Sequence, residues 1–328
     1  MKTLQILSST AIAVVLTALM TSCEHKELCY RHPHTADLEV VFDWSDAPDA
    51  NPGSMCVYFY SEDSEAEPYV FHIVGNHGAS ISLPEGSYSV VTYNTDTDGV
   101  SYGDTDSFDS HHLYTREGSV TETALLAQSS GGNVPRPAES ADQRVVITPD
   151  QMWGYSTTGI SVKRDLGKTQ TITLYPHLLT CNYTYEIRNV KNLKYVSRMS
   201  AALSGMSGKL HVSSERNDPE AVTLALASSW DSSTIYGQFF TFGYSDETDV
   251  SKQLMLYVWS VDGAKYSYGT SGEDNYNVSQ QILNAPDKRN VHIIIEKGPV
   301  LHEADEDGNG GYTITVDDWN EEDSSIYL

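Results

Sequence analysis

The 328-residue chain is poor in cations and in cysteine: 20 Lys and Arg stand against 45 Asp and Glu, a formal net charge of −25 at pH 7, with four cysteines. Each scarcity excludes something. Neutralising phosphates needs grouped Lys and Arg, so a nucleic-acid partner is disfavoured. Adhesion to an anionic membrane by charge is disfavoured for the same reason. Cys23, Cys29, Cys56 and Cys181 form no CxxC spacing, which argues against zinc and thioredoxin-like chemistry. No apolar run reaches the roughly 20 residues that a membrane-crossing helix needs. Walker A, dinucleotide-fingerprint and HExxH patterns are absent as well.

What is present begins at the N-terminus. Lys2, the apolar stretch 11–20 and the small pair Thr21-Ser22 have the layout of a cleaved export signal. The cysteine that follows resembles the lipobox cysteine of bacterial lipoproteins, where cleavage exposes a residue that carries lipid. Met20 departs from the leucine usual in that motif. The competing reading is an ordinary secretory signal with a coincidental Cys23. Residues 1–22 are expected to be a lipoprotein signal peptide with lipidation at Cys23, and the polar, aperiodic 23–36 a tether. With Cys23 acylated, Cys29, Cys56 and Cys181 leave room for one disulfide at most and no complete framework.

The remainder reads as β structure. Twenty-one tyrosines and alternating apolar positions favour pleated, half-buried surfaces. Leu38, Val40, Phe42 and Trp44 alternate with polar neighbours, and Tyr183, Tyr185 and Ile187 do so more cleanly. Further strands are predicted at 54–60, 69–74, 79–83, 87–93, 120–127, 169–174, 222–225, 236–242, 253–261, 291–296 and 312–316. Pro84-Glu85-Gly86 predicts a hairpin turn with Gly86 at positive φ. Asp262-Gly263 predicts a second hairpin, and 278–283 a short helix stopped by Pro286. The acidic, Gly-rich 94–112 reads as loop, as does 129–142, and Trp153 reads as the apolar plug of a short turn. Many short strands favour sandwiches, divided near residue 166 into an N-terminal unit, 37–165, and a C-terminal unit, 166–328.

Several patterns resemble chemical sites. Asp305-Glu306-Asp307-Gly308-Asn309-Gly310 has oxygen donors like a calcium loop, but Val316 occupies the twelfth position, where a bidentate Glu is required. An acidic hairpin loop is the plainer reading of Asp305 to Gly310. Asp96, Asp98, Asp104, Asp106, His111 and His112 read as solvated loop charge, and His32, His34 and Cys29 lack a pre-organised frame for metal. Gly205-Met206-Ser207-Gly208 has part of a nucleophile elbow, yet Lys209 replaces its final glycine. No cofactor or metal site and no catalytic residue is assigned. Tyr102, Tyr114, Trp230 and Tyr268 are the aromatics a glycan-binding surface would use, and facing carboxylates would mark a secreted hydrolase.

Six segments carry a resemblance: 23–34, Val40-Val41-Phe42-Asp43-Trp44, Leu83-Pro84-Glu85-Gly86-Ser87-Tyr88, Asn189-Val190-Lys191-Asn192-Leu193, Leu203-Ser204-Gly205-Met206 and Val316-Asp317-Asp318-Trp319. Together they resemble an uncharacterised lipoprotein family of Bacteroides-type bacteria, similar in turn to the fimbrillin and minor-fimbrium anchor superfamily. The resemblance implies an all-β fold of two tandem transthyretin-like (Greek-key) β-sandwiches. It implies a lipid-anchored protein of the outer membrane and cell surface that anchors or accompanies a fimbrial polymer. Its partner would be a fimbrial subunit joined by strand addition, with no catalytic residues to carry over. Arg31 is the one arginine before Leu38, which fits an anchor better than a shaft subunit.

Overall fold

The computed structural model describes residues 35–119, 135–165, 168–245, 250–270 and 275–304. The first strands in chain order are β1 (Thr35–Phe42), β2 (Ser54–Ser61), β3 (Tyr69–Val74), β4 (Gly78–Pro84) and β5 (Gly86–Asn94). Then come β6 (Val100–Gly103), β7 (His112–Thr115), β8 (Val145–Ile147), β9 (Trp153–Val162), β10 (Gln170–Leu174) and β11 (His177–Leu178). The later part supplies β12 (Cys181–Ile187), β13 (Val196–Ser207), β14 (Lys209–His211), β15 (Arg216–Asn217) and β16 (Ala221–Ala227). It ends with β17 (Ser229–Trp230), β18 (Ile235–Thr241), β19 (Leu254–Ser260), β20 (Lys265–Tyr268), helix α1 (Ser279–Leu283) and β21 (Asn290–Ile295). No helix among the described residues is long and apolar enough to cross a membrane.

The strands build an all-β fold of packed sheets. The first sandwich faces β10-β1-β4 against β11-β9-β5-β2-β3. Its core comes from the alternation read in the sequence: Leu38, Val40 and Phe42 of β1 meet Met55, Val57 and Phe59 of β2. Burying each such side chain contributes about 1.5–3 kcal/mol. The second sandwich faces β17-β18-β12-β21 against β20-β19-β13-β16-β8, with Tyr183, Tyr185 and Ile187 in its core.

A third kind of layer joins the two. β6 and β7 pair with β14 and β15 in the order β15-β14-β7-β6, so the stretch read as loop at 94–112 contains a strand. This sheet covers the second face of the β5-β2 layer. That explains why every residue of β5 from Tyr88 to Asn94 is buried, where a one-sided strand would alternate. The two sandwiches also exchange strands: β10 lies parallel to β1, and β8 lies parallel to β16.

Several local expectations change. Pro84-Glu85-Gly86 is not a hairpin: β4 pairs with β1 and β5 with β2 and β9, so these residues step from one sheet to the other. Gly86 is absent from the positive-φ glycines, and its corner is closed instead by the Tyr88 hydroxyl donating to the Pro84 carbonyl oxygen at 3.0 Å. Met152, fully buried, is the apolar plug that Trp153 was expected to be; Trp153 opens β9 and is half-buried. The Asp262-Gly263 turn does form the β19–β20 hairpin, with Gly263 at φ 87. The short helix forms as α1. Strands expected at 120–127 and 312–316, tether residues 23–34 and the signal segment lie outside the described residues, while Thr35 and Ala36, expected in the tether, open β1 and pair with Pro84 and Leu83.

Candidate functional site

An edge strand exposes backbone N–H and C=O groups that another chain can pair with, unless the fold blocks it. β3 is such an edge, bonded on one side to β2. Its sequence alternates Tyr69, Phe71 and Ile73 with Val70, His72 and Val74. The first set faces the core, where Ile73 is buried and the Phe71 ring lies 5.9 Å from Phe59. The second set faces outward, and Val74 is 93% exposed.

The register fixes which backbone groups are open. The Gly75 N–H donates to the Gly53 carbonyl at 2.8 Å, so that facing pair is hydrogen-bonded. Antiparallel ladders alternate bonded and non-bonded pairs, which makes Met55–Ile73, Val57–Phe71 and Phe59–Tyr69 the bonded ones. The N–H and C=O of Val70, His72 and Val74 therefore point away from β2, and no partner reaches them among the described residues. The neighbouring edge β4, on the same side of the sandwich, carries exposed Ser80 and Ser82 in place of apolar side chains.

The segment that leads into β3 rims an open groove of about 740 Å³. Tyr60, Glu62, Glu65, Asp106, Phe108 and Thr158 line it, so its walls are two aromatic rings among carboxylates. The Tyr60 and Phe108 rings meet edge to face at 5.8 Å. The Glu62 carboxyl is held below the usual carboxylate range, chiefly by the Ser87 hydroxyl, then by the Gly159 N–H and the Ser89 hydroxyl. It is a structural acceptor and a poor proton donor.

Behind the groove, fully buried His111 links the layers. The Tyr60 hydroxyl donates to the Thr105 carbonyl oxygen at 3.0 Å, so it accepts from His111 Nδ1–H at 2.5 Å. Nε2 is then the acceptor for the Tyr93 hydroxyl at 3.0 Å. Burial in this layer holds the imidazole down to about 4. Nearby, His177 of the first sandwich meets Glu215 at 2.9 Å, and Arg289 of the second donates to the Leu178 carbonyl oxygen.

The residues singled out in the sequence are dispersed. Asp96 accepts from the Gly53 N–H at 2.7 Å and from the Asn94 side chain at 2.9 Å, a loop-fixing role. Asp104 approaches His112 at 3.6 Å, and His111 is committed to tyrosines. No group of three or more His, Cys, Asp or Glu among the described residues converges on a metal-sized site. Gly205 sits at φ 73 in a bulge of β13, and the Ser207 hydroxyl donates to the Lys209 carbonyl oxygen, so no elbow forms. Tyr102 stacks on Tyr93 with centroids 4.9 Å apart, while Trp230 and Tyr268 pack against the second core. Tyr114 alone of those four is exposed, and they make no common platform. Cys56 and Cys181 are free thiols, with burial pushing the Cys56 thiol up to about 11. Cys23, Cys29, His32, His34 and Asp305 to Gly310 lie outside the described residues.

A family model described as a domain of unknown function, DUF5119, matches residues 22–227. A Bacteroides ovatus protein that carries the name fimbrium anchoring subunit Fim4B is 20% identical over 196 residues, 59% of this chain and 53% of that protein. The match thus spans about half the length of that curated relative. Among solved structures, a protein of Bacteroides ovatus described as an adhesin has a TM-score of 0.59 at 16% identity, covering 85% of this chain and 99% of that one. The fimbrial anchor protein Mfa2 of Porphyromonas gingivalis has a TM-score of 0.46 at 13% identity, covering 80% of this chain and 91% of that one. The similarity to the Bacteroides ovatus structure is one of fold.

Proposed function

This chain belongs to the DUF5119 family, and on that premise we propose that it is a lipid-anchored cell-surface protein that anchors or accompanies a fimbrial polymer. In this reading an extended segment of a partner subunit adds to the open edge of β3. The observation that carries it is the run of outward backbone groups on Val70, His72 and Val74 beside exposed apolar side chains. Main-chain hydrogen bonds to such an edge supply affinity, and alternate side chains in pockets supply register. The acidic groove at the start of β3 favours a partner segment with a basic residue at that end. The fold match to the adhesin and the name of the curated relative support the same reading.

Lipid anchoring at Cys23 is part of the proposal. It rests on the signal-like residues before that cysteine. Catalysis is not part of the proposal.

Proline at His72 tests the docking edge. The His72 N–H is outside the β2 ladder, and an edge strand tolerates proline where its N–H faces solvent. His72→Pro should keep the far-UV spectrum and most of the thermal stability, yet lose capture of fimbrial subunits in crosslinking on intact cells. A folded His72→Pro variant that captures the same subunit as efficiently as the parent would defeat the proposal.

A further inference from the structure

The second sandwich has an edge of its own at β21, which pairs in parallel with β12 on one side. Its ladder runs from the Asn182 N–H on the Arg289 carbonyl at 2.7 Å to the Arg188 N–H on the Ile295 carbonyl at 2.8 Å. Parallel pairing engages alternate residues of the outer strand. The backbone groups of Asn290, His292 and Ile294 therefore turn outward, as those of Val70, His72 and Val74 do on β3.

Here the edge is occupied by side chains of the chain itself. Gln281 of α1 donates from Nε2 to the Ile294 carbonyl oxygen at 2.9 Å and accepts from the Ile294 N–H on Oε1 at 2.8 Å. One side-chain amide thus makes both bonds that an incoming strand residue would make. At the other end, the Asp287 carboxylate accepts from the Asn290 backbone N–H and, at 2.8 Å, from the Asn290 side-chain amide. Lys288 reaches back to the carbonyl oxygens of Ile282 and Leu283, holding the end of α1 in place. Among the described residues this leaves open only His292 and the Asn290 carbonyl, too short a stretch to seat a strand.

We infer that Gln281, with Asp287, is an edge plug that closes the β21 edge of the second sandwich to strand addition. The partner excluded is first of all a second copy of this chain. β21 reads Asn-Val-His-Ile-Ile-Ile, and two uncovered copies would pair antiparallel about a two-fold axis, burying an apolar, β-branched edge. Strands of that composition with free edges are the usual route to unwanted pairing. The inference rests on the strand-addition reading for its biological meaning, while the plug itself is a property of the isolated protein.

Hydrogen exchange and sedimentation velocity on the purified chain test it without any fimbrial partner. Gln281→Ala should speed exchange of the Ile294 amide at least about fivefold, the loss of one protecting hydrogen bond. Gln281→Ala with Asp287→Ala should add a concentration-dependent dimer. Gln281→Glu keeps the acceptor for the Ile294 N–H and should remain monomeric, which separates edge closure from a general loss of fold. Asn284→Ala, on the same helical turn, should change neither readout. Unchanged Ile294 exchange in Gln281→Ala, or a folded double variant that stays monomeric, would overturn the inference. Failure of docking at β3 would leave these results as they are.

Discussion

His111 Nδ1 and the Tyr60 hydroxyl oxygen meet at 2.5 Å inside the layer that joins the two sandwiches. Because Tyr60 donates onward to Thr105 and Tyr93 donates to Nε2, the ring has one proton and no room for a second. A second ring proton, on Nε2, would point at the Tyr93 hydroxyl that donates there.

Acid should therefore loosen this seam. The folded value of His111 is held near 4, below its ordinary 6.5, so between those limits the unfolded chain binds the extra proton and stability falls as pH falls. The loss from pH 7 to pH 5 should be about 2 kcal/mol. His177 works in the opposite sense: its hydrogen bond to Glu215 raises it, giving stability that is present at low pH and lost as pH rises through its folded value. Urea midpoints at pH 7 and 5 for the parent and His111→Gln measure the difference. A parent slope no steeper than that of His111→Gln would show that His111 is not the acid-sensitive group.

Two glycines near the β4 ends should respond in opposite ways to alanine. A Cβ on Gly78, at φ 121, would lie 1.9 Å from the Val40 carbonyl oxygen, so Gly78→Ala must move β1 or break the turn and should cost well over 1 kcal/mol. A Cβ on Gly86 meets the Asp63 side chain at 3.3 Å with no unusual φ, and Gly86→Ala should change stability by less than about 1 kcal/mol. Thermal unfolding of the two variants side by side checks the ranking.

Cys23 is predicted to carry the lipid. Cys23→Ser should leave the chain uncleaved or soluble, whereas the parent partitions into detergent. A cleaved Cys23→Ser protein that still enters the detergent phase would rule out that site.

Much of the architecture is legible in the residues. β1 and β12 bury one face each, and simple alternation finds them. β13 does not read as a strand because most of its buried positions are Ser, Ala and Gly, small residues with little β preference, with Met199, Leu203 and Met206 between them. β9 is hidden for a related reason: Trp153–Val162 is largely polar and is held by pairing with β5. Pro84-Glu85-Gly86 announces a reversal, but a step between sheets uses the same turn residues as a hairpin. Chain order also conceals that β10, beyond residue 166, completes the first sandwich. β3 itself was visible at 69–74, yet its place at an edge depends on sheet order, which local pattern does not encode. Nor does any local signal join Gln281 to Ile294.

The position of β1 also decides how the protein bears load. In the proposed lipid-anchored arrangement a pull from the N-terminal side would enter at Thr35, and β1 is the central strand of its sheet, flanked by β10 and β4. Its ladders run from Leu38 to Phe42 on one side and from Thr35 to Val41 on the other. Strand hydrogen bonds lie across the strand axis, so tension along β1 shears both ladders together instead of peeling one bond at a time. An edge strand in that position would unzip; a central one yields only when both rows give way at once.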